Sequence, residues 1–410
     1  MVKFLFLFDY LNAKDNFFLY NLLPIKDNDV KKNKDEHDNI SQTVKTYYEN
    51  EYYLYKANHD ISFNYNNHEV DLRVGERLRT KEQIDNFVRK QNKKYDAVFV
   101  FSNTLTEPIS DKYNHIYIEC DEIIQSKRLV DIIIKSNDKI LTSSKKEGFE
   151  FENNYFNYRL SFYYFYYLLG FYHLNLEKIK VDKQNLLGTY LKKYYRNDRD
   201  ILYDKILEKF EDKTKFKNYS FEFQKDLALS LDLKYNLGWM KNHITSYTDY
   251  IRSLFILNFE TDSPDVTDTY HMTEKTIKSI LFSKLNIPSI LFAHQSLLLK
   301  LKEDGFWFLN FDFINFEKLS NWKQHENDEY IEIILESITK SVDFILGLNK
   351  KFDGNYKEIE NYIVENYSDK LENNYKLFKN ILNDIDIKEE VFNTITKNYK
   401  TWHNQNTHLI

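Results

Sequence analysis

Three groups of residues in the second half of this chain have the types and spacing to hold a nucleotide. Phe259-Glu260 ends a hydrophobic run, and Thr273-Glu274-Lys275 opens an amphipathic segment that turns at Asn286-Ile287-Pro288 into another apolar run. Arg196 and Arg199 flank the start of a third segment, RDILYDKILEKF. A carboxylate at a strand end can take ribose hydroxyls, and a helix N-terminus with a cation beside it meets phosphate through unpaired N–H groups. With Thr273 as N-cap, Glu274 and Lys275 fall in the first helical turn. Glu274 suits the helix dipole and needs no ligand to explain it, whereas Lys275 opposes the dipole by roughly 0.3 kcal/mol, which an anion at that end would reverse. The two arginines have a plainer reading too, as surface charge offset by Asp198 and Asp200.

Such residues need strands and helices to hold them, and the pattern supplies both. Continuous apolar runs at Lys3–Phe8, Ala97–Phe101, Ile116–Ile118 and Lys139–Leu141 read as buried parallel strands. Further strands are expected at Leu186–Tyr190, Ile251–Phe259, Ser289–Phe292 and Trp307–Leu309. Helices are expected from Thr80, with Gln83 completing a capping box, at Leu129–Ile134, after Asn197 or Asp198, at Glu274–Leu285 and at Gln295–Glu303. Gly305 fits a left-handed cap, and everything after Ile331 has helical spacing. Strands alternating with helices imply an α/β fold of two doubly wound, Rossmann-like domains with a helical tail. The expected boundaries are 1–150, a connection over 151–184, a second domain over 185–350, and a tail over 351–410. The polar stretch from Asn28 to Asp60 reads as an irregular excursion.

In such folds the ligand lies beyond the carboxyl ends of the strands. Asp9, Glu119 and Asp121 sit at strand ends in the first half and are the general-base candidates, although capping a helix is the commoner use of such residues. His115, His271 and His294 have no metal-ligand spacing and read as polar loop residues.

The 410 residues are 42% hydrophobic and 29% charged, which fits a globular chain and excludes a disordered one. A formal charge of −6 gives no overall basic field for nucleic acid or an anionic membrane. Cys120 is the lone cysteine, so a disulfide framework and a cysteine-based zinc site are both excluded. VKFLFLF is too short for a signal segment, and no run approaches the roughly 20 apolar residues that span a bilayer. A cytoplasmic location is expected. With 33 Tyr and 32 Phe against 8 Gly and 4 Pro, the composition matches an AT-rich microbial or viral genome. That bias also explains aromatic runs such as FYYFYYLLGFY (162–172).

The order of the pieces adds a resemblance. A strand–Arg–helix unit, Phe259-Glu260, Thr273-Glu274-Lys275, a helix, Ile287-Pro288-Ser289 and a Leu-rich helix ending in Gly305-Phe306 together resemble the nucleotide-sugar domain of GT-B glycosyltransferases. The likeness, over about residues 185–310, is to the α1,3-fucosyltransferase-like group and to related viral and bacterial transferases with a Thr-Glu-Lys-Thr segment. Their pattern reads Phe-Glu-Asn, a short spacer, Tyr-X-Thr-Glu-Lys, a helix and Val-Pro-Val. This chain departs from it at Thr261, in a longer spacer, in Tyr270-His271 before the threonine, and at Ala293-His294. The resemblance implies a GT-B fold and transfer of a hexosyl or pentosyl group from a nucleoside-diphosphate sugar to a glycan or other hydroxyl acceptor. It implies inversion and no metal or other cofactor. Glu274 would bind the donor ribose, and Lys275 and Arg199 the diphosphate. Arg196, Tyr270, His271 and Thr273 would line the donor, with Glu260 at the sugar end or supporting the loop. Two other readings stay open: a non-catalytic nucleotide-binding or assembly protein, and a viral enzyme that glycosylates modified DNA bases. A nicotinamide dehydrogenase is a weak third reading, because no G-x-G-x-x-G follows any strand.

Overall fold

The computed structural model describes residues 1–9, 22–24, 61–75, 78–102, 105–109, 111–119, 139–143, 145–146, 154–168, 176, 182–191, 197–219, 251–260, 269–270, 272–321 and 327–402. The helix expected at Leu129–Ile134 and the excursion over 28–60 lie outside them.

The first half builds β1 (Val2–Asp9), β2 (Ile61–Tyr65), β3 (His68–Gly75), α1 (Lys81–Lys90), β4 (Ala97–Phe101), β5 (Asn114–Glu119), β6 (Lys139–Thr142), the two-residue β7 (Lys145–Lys146) and β8 (Asn154–Phe156). Seven of these strands form one sheet in the order β2-β3-β1-β4-β5-β6-β8. Every pairing in it is parallel except β2 with β3. The expected strands are all present. Thr80 and Gln83 form the expected capping box at the start of α1. The β2–β3 hairpin is an addition. It turns on Asn66 and Asn67, both at positive φ (47° and 63°), the conformation that a two-residue hairpin loop requires and that Asn tolerates.

After β8 comes α2 (Leu160–Leu168), inside the stretch expected to be a bare connection. Its Phe162, Tyr163, Tyr164 and Phe165 are buried. Phe162 stacks on Phe306 at 5.5 Å and meets Phe378 at 5.7 Å, so residues 162–165 are core.

The second half builds β9 (Asn185–Thr189), α3 (Asn197–Glu208), β10 (Phe216–Asn218), β11 (Ser253–Phe259), β12 (Thr269–Tyr270), α4 (Glu274–Phe282), β13 (Ser289–Phe292), α5 (Gln295–Glu303), the short α6 (Phe316–Ser320), α7 (Asn327–Lys351), α8 (Tyr356–Leu382) and α9 (Ile385–Thr396). Four strands make a wholly parallel sheet in the order β10-β9-β11-β13. Two expectations need correction. Asn197 is the first residue of α3, so neither it nor Asp198 is the cap. Trp307–Leu309 is no strand; the chain passes into a 3₁₀ turn at Leu309–Asp312. The cause is a side chain in the strand's place: the Asn310 amide accepts from Leu291 N–H and donates to Leu291 C=O, both at 3.0 Å. The edge of β13 is thereby closed where Trp307–Leu309 would have paired. Gly305 takes the expected left-handed cap at φ 86°, with Phe306 N–H on Leu301 C=O and Gly305 N–H on Lys302 C=O.

The C-terminal helical region serves both sheets. α7 packs on β13, and α8 packs on α4 and β11. α9 and the residues after it return to the first sheet, with Phe392 against Phe6 and Tyr65, and Trp402 N–H on Asp96 C=O. Asn114 accepts from Lys400 N–H at 2.7 Å and donates to its C=O at 3.1 Å. One continuous cluster of buried side chains runs from Phe4 and Phe6 through Phe162 to Phe255 and Leu257.

Candidate functional site

The second sheet has a topological switch point. From β9 the chain moves outward to β10, then crosses back to β11 and on to β13 on the other side. Right-handed crossovers in opposite directions place α3 and α4 on opposite faces and leave a crevice beyond the carboxyl ends of β9 and β11. These strands are direct neighbours. The loop that carries Arg196 to the start of α3 leaves one, and the loop to Thr273 leaves the other.

Glu260 follows β11 and is wholly buried. Its carboxylate accepts from Thr273 N–H at 3.0 Å, Thr273 Oγ1 at 2.5 Å, Thr276 N–H at 3.0 Å and Thr276 Oγ1. The acid is therefore the anchor of the α4 N-terminus, satisfying donors that a helix start leaves without intrahelical partners. Thr273 is the N-cap, as expected, with its hydroxyl accepting from Lys275 N–H. One turn further in, Asn258 donates to Ser279 Oγ, which donates to Lys275 C=O at 3.1 Å. The strand thus grips both sides of this helix's first turns.

Glu274 and Lys275 are held on that anchored turn. Their side chains keep 16% and 22% of their surface exposed, and they lie within 3.3 Å of each other. Lys275 Nζ also donates to Thr273 Oγ1 at 3.3 Å. This is a charged, partly open pair at a helix start whose Thr273, Lys275 and Thr276 N–H groups are already taken by Glu260 and the Thr273 hydroxyl.

The adjoining strand end is held by a different device. Asn218, the last residue of β10, accepts from Leu191 N–H and donates to Leu191 C=O, both at 3.2 Å and buried. Among the described residues, the buried Thr189 Oγ1 at the end of β9 and both amide atoms of Gln295 at the start of α5 make no hydrogen bond. His294 caps α5, its Nδ1 accepting from Ser296 N–H at 3.2 Å.

The first half reaches this edge through β7 and β12, which pair antiparallel with Tyr270 opposite Lys145 and Thr269 opposite Lys146. The segment after β6 is thereby clasped to the segment that leads into Thr273. Asp9 ends β1, in register with Gly75 of β3, and β1 is the switch strand of the first sheet, between β3 and β4. Glu119 ends β5, two strands from β1, or roughly 10 Å at ordinary strand spacing. His115 is buried with Nε2 on Ser102 C=O at 2.7 Å, a structural contact.

Arg196, Asp121 and His271 lie outside the described residues, and Asp9, Glu119, Arg199 and Tyr270 are placed by backbone alone. Arg199 is the third residue of α3. Sequence reasoning missed Asn218, Asn258 and Ser279; their signal was polar residues at positions where the strand or helix pattern demands burial.

No family model matches the sequence, and no curated protein matches it. Among solved structures it is similar to an α1,3-fucosyltransferase with GDP-fucose, at 14% identity over 80% of this chain and 90% of that one, with a TM-score of 0.37. It is also similar to an α1,3-fucosyltransferase with GDP, at 10% identity over 93% and 91% of the two chains, with a TM-score of 0.35. The site's chemistry rests on its own residues.

Proposed function

We propose that this protein is a glycosyltransferase that moves a sugar from a nucleoside-diphosphate donor to an acceptor hydroxyl, with inversion and without a metal. The observation that carries this reading is the Thr273-Glu274-Lys275 turn, fixed by the buried Glu260 at the switch point of a parallel sheet. Glu274 meets the ribose hydroxyls. Lys275, the arginines of the β9–α3 segment and the start of α3 meet the diphosphate from adjacent strand ends. As the glycosidic bond breaks, negative charge grows on the departing diphosphate, and preorganised cations and N–H groups favour that state over the ground state. Glu260 takes no part in bond making, because neutral donors already occupy both of its oxygens. It positions the turn.

Inversion needs a base on the acceptor side. Asp9 is the choice, since it ends the switch strand of the first sheet, whereas Glu119 lies two strands away.

A thermal-shift panel of UDP-, GDP-, ADP- and CMP-sugars tests the donor class. A donor at about 100-fold its Kd adds roughly 2.7 kcal/mol of stability. Lys275→Ala and Arg199→Ala are expected to abolish that shift, and Asp9→Asn to keep it while losing transfer. If Asp9→Asn transfers sugar at the native rate, Asp9 is not the base. If no donor shifts the native protein, the chain is an assembly protein on the same fold.

A further inference from the structure

We infer that Gln295 reads the base of the donor nucleotide, its side-chain amide pairing with the hydrogen-bonding edge of that base; the inference rests on the nucleotide-sugar reading. Gln295 is the first residue of the nine-residue α5 and is wholly buried. Among the described residues, it is the one buried amide side chain whose oxygen and nitrogen both lack a hydrogen bond. Other buried amides in this chain do the opposite. Those of Asn218, Asn310 and Asn374 each bond both backbone groups of one residue. Burying an amide with neither bond made is costly. A ligand that brings a donor and an acceptor together removes that cost.

The place of the amide says which part of the ligand meets it. β11 and β13 are parallel neighbours with Phe259 level with Phe292, and Glu260 N–H donates to Phe292 C=O at 2.8 Å. The starts of α4 and α5 therefore stand side by side at the carboxyl edge of the sheet. Helical side chains lean toward the N-terminus, so the amide of the first residue of α5 lies over that edge. It has no capping duty there, because His294 Nδ1 already accepts from Ser296 N–H. Along the edge the strands follow the order β9-β11-β13, roughly 5 Å apart. With the diphosphate across the ends of β9 and β11 and the ribose on Glu274 just past β11, the next position is the end of β13. The next group along a nucleotide is its base. A primary amide offers an acceptor beside two donors, which matches the mixed edge of a base, whereas a phosphate offers acceptors alone. Because the amide is covered, the pair forms out of water, where a missing partner is rejected most strongly.

Gln295→Met keeps the length of the side chain and removes both polar atoms. The free protein loses no hydrogen bond by it, so its melting temperature should hold or rise. Asn374→Leu removes a fully bonded amide and should lower it. Calorimetric titration of the native protein with UDP, GDP, ADP and CDP picks the nucleotide. Gln295→Met should weaken that nucleoside diphosphate roughly tenfold. It should bind inorganic diphosphate, which has no base, with native affinity, whereas Lys275→Ala should weaken both. Gln295→Glu keeps an acceptor and loses both N–H donors, so it too should weaken the nucleoside diphosphate, and it serves if the methionine variant fails to fold.

The proposal is overturned if either Gln295 variant binds the nucleoside diphosphate as the native protein does, or if Gln295→Met weakens inorganic diphosphate equally. A melting temperature that falls as far as in Asn374→Leu overturns it as well, since the amide would then be bonded in the free chain. The nucleotide reading fails separately and earlier, when neither inorganic diphosphate nor any of the four nucleoside diphosphates binds the native protein.

Discussion

Among the described residues, two carboxylates are buried by opposite means. Asp71, in the middle of β3, is 1% exposed. It is held by Lys93 Nζ at 2.7 Å, Tyr95 OH at 2.8 Å, Ser62 Oγ and Arg73 Nη2 at 3.4 Å. Glu260, at the end of β11, is wholly buried and held by two peptide N–H groups and two threonine hydroxyls. Mid-strand, an acid in the sheet needs cations to offset its desolvation. At a strand end, a helix N-terminus supplies oriented dipoles instead. The second arrangement leaves Lys275 partly exposed on the same turn, and that difference separates an acid fixed by cations from one that anchors a helix start beside a cation.

The largest effect should come from removing the second acid. Glu260→Ala leaves two hydroxyls and two N–H groups buried without their acceptor, so roughly 3–5 kcal/mol of stability should be lost in a denaturant titration. Donor binding should go with it. Glu260→Gln, which keeps one acceptor oxygen, should lose less of both. A stable Glu260→Ala protein that still binds donor would break the comparison.

Asp71→Asn should cost less, roughly 2 kcal/mol, because Lys93 remains 45% exposed and can find water. The donor KM should not change. The pH dependence gives a second handle. Burial alone would raise the Asp71 pKa, but hydrogen bonds from Lys93, Ser62 and Tyr95, with Arg73 nearby, hold it below the usual carboxylate value. Its stabilisation is thus fully present above the unfolded pKa of 3.8 and is lost as pH falls through the lower folded value. In Asp71→Asn that part of the acid limb should flatten. An unaltered acid limb would place the charge elsewhere.

Two lysines titrate at the other end of the scale, the buried Lys139 and the half-buried Lys183. Burial lowers Lys139 and Lys183 to about 8. Lys139 donates to Ile395 C=O at 2.6 Å and Lys183 to Ile251 C=O at 2.8 Å. Between the folded value near 8 and the unfolded value of 10.5, the unfolded chain binds more protons, so stability rises with pH over that window. Lys139→Met should remove part of this rise.

Local signals in the sequence carried much of this fold. The Thr80–Gln83 box, the Gly305 cap and the apolar strand runs each depend on a few consecutive residues, and each forms as its pattern demands except the run at Trp307–Leu309. The β2–β3 hairpin was hidden because its alternation is polar on one face, and its Asn66-Asn67 turn disappears in an asparagine-rich chain. The same richness masked the clamps. Asn114, Asn218, Asn310 and Asn374 each pair with both backbone groups of one residue, and only three-dimensional placement separates them from the solvated asparagines around them. For the site, Thr273, Glu274 and Lys275 were legible from capping grammar. That Glu260 points into the protein was not, since a strand-end acid can turn either way.

The smallest effects give the sharpest form of the comparison, because they use one residue type in one role. Thr80 and Thr273 are both N-caps. The Thr80 hydroxyl accepts from Gln83 N–H at 3.3 Å at an exposed helix start. Thr80→Ala should cost ~1 kcal/mol, the ordinary value of a cap. The Thr273 hydroxyl accepts from Lys275 N–H and also donates to Glu260 at 2.5 Å, where it is buried. Thr273→Ala should therefore cost about 2 kcal/mol, a cap plus a hydrogen bond to a charged group. Thr273→Ser restores both bonds and should recover most of that loss, as well as donor affinity. Thr80→Ser and Thr80→Ala should leave donor affinity alone. Equal costs at the two caps would mean that Glu260 gains nothing from the Thr273 hydroxyl, and that this cap is an ordinary one.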